Sequence, residues 1–358
     1  MKEIFKINML PAEFGDCLWI EYGPASAPHR ILVDGGLKGT YQDHLEKKIK
    51  GLGKEQRRFE LLVVTHIDND HIGGIIPLLK KRKETGISFE DIWFNGTRQL
   101  FSPPPPGNDG LFAAGVQQGE TVSEILQGDT TLPWNKAFDG KSITVGNKSI
   151  SLAGGMEVTL LSPGKKQISE LKNQWAEVIQ EREESMNQPV MGTAIGVSSH
   201  GRSNDIEQLL QKRFKEDKAV ANGSSIAMLL FYQDKKVLLA GDAHPSVVAE
   251  SLKRLGGTQP FNLDVCKLPH HGSKNNVSRQ LLEAMHCDHF FISTNGSLFN
   301  HPDDESLARI VTAGNKQISF NYPRPDLKVW DTPELKEKFG HTMRFRAEHE
   351  EALSIDLL

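Results

Sequence analysis

Cysteine is scarce in this chain: Cys17, Cys266 and Cys287 are the only three among 358 residues. The number is odd and no C-x-x-C pair occurs, which excludes a disulfide framework or a thiolate zinc site and fits a reducing compartment. Long apolar runs are also missing, with none approaching the ~20 residues that cross a bilayer. Met1 to Lys6 carries no continuous apolar stretch of the kind a leader needs. The expectation is a soluble cytoplasmic protein without membrane contact. An excess of one charge is lacking too: 42 Lys+Arg stand against 46 Asp+Glu, for a net charge of −4. That argues against polybasic nucleic-acid binding and leaves room for a local basic groove. Hydrophobic residues make up 38% and charged residues 25%, enough to bury a core. At about 150 residues per domain, the length gives two domains or one large α/β unit.

Apolar runs predict strands over 4–10, 17–22, 31–33, 59–64 and 157–161, and later over 226–232, 237–240, 264–268 and 289–293. Helical periodicity falls on 41–50, 75–83, 167–186, 205–216, 245–255 and 277–286, with a weaker stretch near 119–127. Pro103 to Pro106 predict an exposed polyproline II segment. A late strand is expected at 342–346. Ionisable residues recur just past the ends of the buried strands: Asp34, His66, Asp242 and His270. In α/β sheets that edge is where sites are built.

The chemistry concentrates in Thr65-His66-Ile67-Asp68-Asn69-Asp70-His71-Ile72-Gly73-Gly74. Four potential ligands, His66, Asp68, Asp70 and His71, lie on a strand-to-helix loop where they can converge. Carboxylates beside imidazoles form an oxygen and nitrogen donor set suited to a divalent metal. Gly73 and Gly74 allow a tight turn behind it.

H-x-D-x-D-H-x-G-G after a buried strand resembles the signature of the metallo-β-lactamase fold superfamily, whose usual pattern is H-x-H-x-D-H. Asp68 in place of the second histidine resembles the ComEC-like branch. Further stretches are similar to that branch in order: Gly15-Asp16-Cys17 with Ile31 to Gly36, Asn222 to Ser225, Leu239 to Ala243, Lys267 to Ser273, and Ser293 through Pro302. The resemblance covers roughly residues 4–320. It implies an α/β four-layer αβ/βα sandwich over 1–320, with inserts at about 97–150 and 165–221 and a C-terminal extension over 321–358. It implies two divalent cations. His66 and Asp68 would serve one and Asp70 and His71 the other, with Asp242 bridging and His270 completing the second site. His270 is preferred to His271 because related loops use the first position, which leaves His271 to meet substrate or a proton. The histidine usual between the first motif and the Asp motif has no counterpart, His200 being the nearest. Asn222 and Ser225 stand in its place, and an oxygen-rich set shifts preference from Zn²⁺ towards Mn²⁺ or Mg²⁺.

The implied chemistry is hydrolysis by a metal-bridged hydroxide, with DNA or another phosphodiester as substrate. Asp70, His271 and His301 are the candidate catalytic residues, His271 or His301 as the general acid. Asp34 would orient a ligating histidine, with Asp16 in a lesser such part, and Ser273 and Lys274 would hold phosphate oxygens. Two rivals remain: hydrolysis of a small acyl or phosphoester metabolite, and a metal-bound component of a bacterial defence-type assembly with a protein partner.

Overall fold

The computed structural model describes residues 2–101, 114–146, 148–185 and 201–358. Pro103 to Pro106 and His200 lie outside these residues. Two sheets face each other. The first has six strands: β1 (Glu3–Met9), β2 (Leu18–Pro24), β3 (His29–Val33), β4 (Leu61–Val63), β5 (Ile92–Trp93) and, at the edge beside β1, the C-terminal strand Leu353–Asp356. The second has eight. In chain order they are β6 (Ile150–Ser151), β7 (Glu157–Ser162), β8 (Ala227–Tyr232), β9 (Lys235–Leu239), β10 (Val265–Lys267), β11 (His289–Ile292), β12 (Gln317–Phe320) and β13 (Thr342–Phe345).

The alternation of side chains explains the layering. Phe5, Ile7 and Met9 of β1, Leu18 and Ile20 of β2, and Leu61 and Val63 of β4 point into one apolar cluster. Met228, Leu230, Val237, Leu239, Val265 and Phe291 reach the same cluster from the second sheet. The intervening residues face outwards. Trp19, Leu32 and Leu62 pack beneath the helices of the first sheet, among them Ile75–Lys80, Ala114–Gly128 and Lys165–Ser185. Leu229, Leu238, Cys266 and Phe290 pack beneath Pro245–Gly256 and Asp304–Val311. Three apolar layers between four structural layers make an αβ/βα sandwich. Each fully buried large side chain contributes about 1.5–3 kcal/mol.

Four expectations need adjustment, the first being the helix expected at 205–216, which is only Ile206–Gln211. The helix expected at 119–127 spans Ala114–Gly128. The helix expected at 277–286 is only Arg279–Glu283, because Met285–Cys287 pairs as a strand with Phe261–Leu263. The 321–358 segment is built into both sheets rather than appended: Thr342–Phe345 pairs with β12, and Leu353–Asp356 pairs with β1. No helix of the described residues is long and apolar enough to cross a membrane. Trp175 and Trp330 are fully buried core residues.

The topology positions the site. β3, β4 and β5 run parallel in the first sheet, and β9 to β13 run parallel in the second. The C-terminal ends of β3, β4, β9, β10 and β11 release the loops that carry Asp34, His66 to His71, Asp242, His270–His271 and Ser293 to Pro302.

Candidate metal centre

Two close backbone approaches bring the loops together. A Cβ on Gly74 would lie 2.0 Å from the Gly35 carbonyl oxygen, so the loop after β3 rests directly on the loop after β4. A Cβ on Gly15 would lie 1.8 Å from the Asp70 oxygen, and the Asp16 N–H donates to that same oxygen at 3.1 Å. Only glycine fits at either point.

Four imidazoles then turn the same nitrogen inwards. His71 Nδ1 donates to Asp34 Oδ2 at 2.8 Å. His271 Nδ1 donates to the Ser293 carbonyl at 2.7 Å. His66 Nδ1 lies 3.0 Å from both Thr65 Oγ1 and Ser225 Oγ. Thr65 Oγ1 spends its own proton on Asp34, at 2.7 Å, and so accepts from His66. His270 Nδ1 lies 3.0 Å from Asn276 Oδ1 and 3.4 Å from Asp217 Oδ2. With every Nδ1 donating, Nε2 is the nitrogen each ring has left to offer a ligand, and all four Nε2 atoms face Asp242. The separations from the Asp242 carboxylate are 3.4 Å for His71, 3.7 Å for His271, 3.8 Å for His270 and 3.9 Å for His66.

These separations test whether a cation fits. Nε2 of His66, His71 and His271 and Oδ1 of Asp242 are buried without a hydrogen-bond partner. Orphaned buried polar atoms are costly. Two ligands about 2.1 Å from one tetrahedral ion stand about 3.4 Å apart, within the range seen here. Ligand atoms of His66, His71 and Asp242 all fall within 4.8 Å of one another, as do those of Asp70, His71 and His271. Asp70 Oδ2 is 3.3 Å from His271 Nε2, and Asp68 Oδ2 is 3.7 Å from His66 Nε2. The donor set suits a divalent cation.

Of the adjacent histidines, the geometry favours the second for the inner position, against the order expected from sequence. His271 is 2% exposed and its Nε2 is unpartnered, whereas His270 is 24% exposed at the mouth. Both residues adopt positive φ, +47° and +53°, a conformation rare outside glycine. This turn sends the two rings in different directions, which no residue count reveals.

The electrostatics agree with the geometry. Burial opposes a charged His71, but Asp242, Asp70 and Asp34 outweigh it and raise the imidazole well above its ordinary value. Burial likewise opposes a charged His271, but Asp242 and Asp16 push it up to about 9. Asp242 is held well below the carboxylate range by His71, His271 and His270, despite its burial. Without a cation these histidines carry protons as counter-charge; a cation must displace them. Divalent metal added at pH 7 is therefore expected to release protons, with affinity rising as pH rises towards 9. Titration calorimetry in buffers of different ionisation enthalpy measures the number released, and a value of zero contradicts the reading.

The remaining residues divide. Asp34, buried, accepts from the Thr65 N–H at 2.8 Å besides Thr65 Oγ1 and His71. Asp34→Ala is expected to weaken metal binding roughly 10- to 100-fold, read by calorimetry. Ser225 Oγ touches His66 and accepts from the Asp242 N–H at 3.1 Å. Asn222 Nδ2 donates to Asp217 at 2.7 Å beside His270. Ser273 and Lys274 are not brought to the ligands. The Ser273 N–H closes the turn onto the His270 carbonyl at 2.8 Å, and Lys274 Nζ lies 3.7 Å from Asp303. His301 packs against His270, ring centroids 5.4 Å apart, with Nδ1 3.2 Å from Asp303. Asp217 and Asp303 carried no motif signal. Asp303 stands only two residues past His301, whereas nothing in sequence marks Asp217 as the one that backs His270, far along the chain.

Among solved structures, the chain is similar to the metallo-beta-lactamase fold protein YhfI from Bacillus subtilis, at 10% identity over 99% of this chain and 100% of that one, with a TM-score of 0.45. It is also similar to CmlA, a diiron beta-hydroxylase from Streptomyces venezuelae, at 12% identity over 99% of this chain and 54% of that one, with a TM-score of 0.42. No curated protein matches. The stretch that carries Asp16, Asp34 and the His66 to His71 loop is similar to a known family: residues 12–143 match the model of the metallo-beta-lactamase superfamily.

Proposed function

We propose that this chain is a metal-dependent hydrolase of phosphodiesters, with DNA as the substrate. The observation that carries the reading is the convergence of unpartnered, buried Nε2 atoms of His66, His71 and His271 on Asp242. In this reading Asp70, His71 and His271 would hold one divalent cation and His66 and Asp68 the other, with Asp242 available to both. Mn²⁺ and Zn²⁺ suit the mixed donors, and Mg²⁺ is the third candidate. Such a pair supplies a nucleophile from water at neutral pH and neutralises charge on phosphoryl oxygens.

The protein's own groups do the rest. Asp34, Ser225 and the Ser293 carbonyl fix the imidazole orientations, so no reorganisation is needed on binding. His271 has both nitrogens committed, which leaves His301 to protonate the departing oxygen. His301 stands beside His270 with its Nδ1 3.2 Å from Asp303, a carboxylate that would support the proton it has to deliver. We place the enzyme in the cytoplasm, in keeping with three buried, unpaired cysteines.

The test is cleavage of circular and linear DNA with Mn²⁺, Mg²⁺ or Zn²⁺, run beside Asp70→Ala. Metal-dependent cutting that the variant loses supports the reading. Equal cutting by the variant overturns it. No cutting by a metal-loaded wild type favours the small-metabolite alternative.

A further inference from the structure

The ligand imidazoles begin a row of rings that runs outwards. His71 and His271 stand 5.3 Å apart, His271 and His270 5.9 Å, and His270 and His301 5.4 Å. Phe299 continues the row, stacked on His301 at 5.8 Å with 28° between the planes. Phe14 meets Phe299 edge-on at 6.4 Å. His71 and His271 are buried, His270 and His301 are partly exposed, and Phe299 is 46% exposed.

A single exposed phenylalanine is ordinary on a protein surface. This one differs in being braced. The Asn295 N–H donates to the Glu13 carbonyl at 2.7 Å, and the Glu13 N–H donates to Tyr322 Oη at 2.7 Å. These bonds tie together the loops that bear Phe14 and Phe299. From the other side, Arg202 Nη2 donates to Asn300 O at 2.8 Å and to Asn300 Oδ1 at 3.0 Å, and Arg324 donates to the His301 carbonyl. Both guanidinium side chains are almost fully buried. The ring is thus ordered before a ligand arrives, which removes a cost of binding.

A cleft of about 460 Å³ opens beside the ring, lined in part by Asn300, Lys212 and Lys274. Its cations are spoken for: Lys212 pairs with Glu305 at 2.9 Å, Arg202 with Asp326 at 2.8 Å, and Lys274 sits near Asp303. Among the described residues lining it, each cation thus has an acidic neighbour, which weakens its pull on a second phosphate. A flat ring does find a partner.

We propose that Phe299, edged by Phe14, is a stacking platform for the nucleobase next to the phosphodiester at the metal centre. The proposal rests on the phosphodiester reading above. Base–aromatic stacking tolerates any base, because every base has a π-face. The platform therefore adds affinity for nucleic acid over other phosphodiesters without reading sequence.

The experiment compares the Mn²⁺-loaded wild type with Phe299→Ala and Phe299→Trp on two single strands of equal length, oligothymidine and its abasic counterpart. In the wild type KM is lower for oligothymidine. In Phe299→Ala the KM for oligothymidine rises roughly 5- to 150-fold, and the ratio between the two strands collapses towards one. Phe299→Trp keeps the ratio. A wild-type ratio in Phe299→Ala overturns the platform and leaves the phosphodiester reading standing. A wild type that cleaves neither strand overturns the phosphodiester reading itself, and the platform with it.

Discussion

Asp242→Ala is expected to abolish tight binding of divalent metal and, with it, hydrolysis. Asp242 is the one carboxylate that all four imidazoles face, at 3.4 to 3.9 Å, and it is almost fully buried. Its removal takes a ligand from both proposed ions at once. The turnover loss is expected at three orders of magnitude or more, since the cations supply several kcal/mol of charge stabilisation. A thermal readout reports the same loss without relying on activity. Metal at about a hundredfold excess over Kd stabilises the folded state by about 2.7 kcal/mol, several degrees of Tm in a chain of this size. That shift is expected to vanish in Asp242→Ala. Asp68→Ala should retain most of it, because Asp68 is 42% exposed and stands only at the rim, 3.7 Å from His66. Equal thermal shifts in the wild type and Asp242→Ala would sink the shared-carboxylate assignment.

The parts of this site that were legible in sequence share a local cause. His66, Asp68, Asp70 and His71 sit on one short loop after a buried strand, so proximity in sequence guarantees proximity in space. Asp34 was legible from its place at the end of a buried strand, in a stretch that resembles the family's opening motif. The inner and outer roles of His270 and His271 were not, since they depend on two consecutive positive-φ residues. Asp217 was invisible because its partners, His270 and Asn276, lie on a different loop, after β10. In the fold, the alternation in β1 to β4 declares both faces of the first sheet. Thr342–Phe345, half-exposed at a sheet edge, carries little pattern, and nothing local says which sheet it completes. Register and partner are decided by tertiary packing.

Lys267 shows how far composition misleads at one residue. A lysine at the end of a strand reads as a surface residue, yet this one is fully buried. Its ammonium pairs with Asp16, also buried, and lies 3.4 Å from the Gly241 carbonyl. Asp16 is held well below the carboxylate range by Lys267 and His271, despite its burial, and its second oxygen lies 3.5 Å from His271 Nδ1. Lys267→Met leaves that buried carboxylate charged, with only the His271 imidazole beside it. The expected cost to the metal-free protein is about 3–5 kcal/mol, because the Coulomb gain is lost and the desolvation is not recovered. Asp16→Asn together with Lys267→Met removes both charges and should cost clearly less, a non-additivity that a double-mutant cycle measures. Metal binding is expected to move the other way. Lys267 is a positive charge behind the ligands and opposes a second positive charge in front of them. Its loss should tighten divalent-metal binding while lowering the Tm of the metal-free form. Chemical denaturation without metal and calorimetric titration with Mn²⁺ provide the two readings. Opposite signs are what a buried counter-ion predicts; a parallel loss of stability and affinity would mean that Lys267 acts only by holding the Asp16 loop in place.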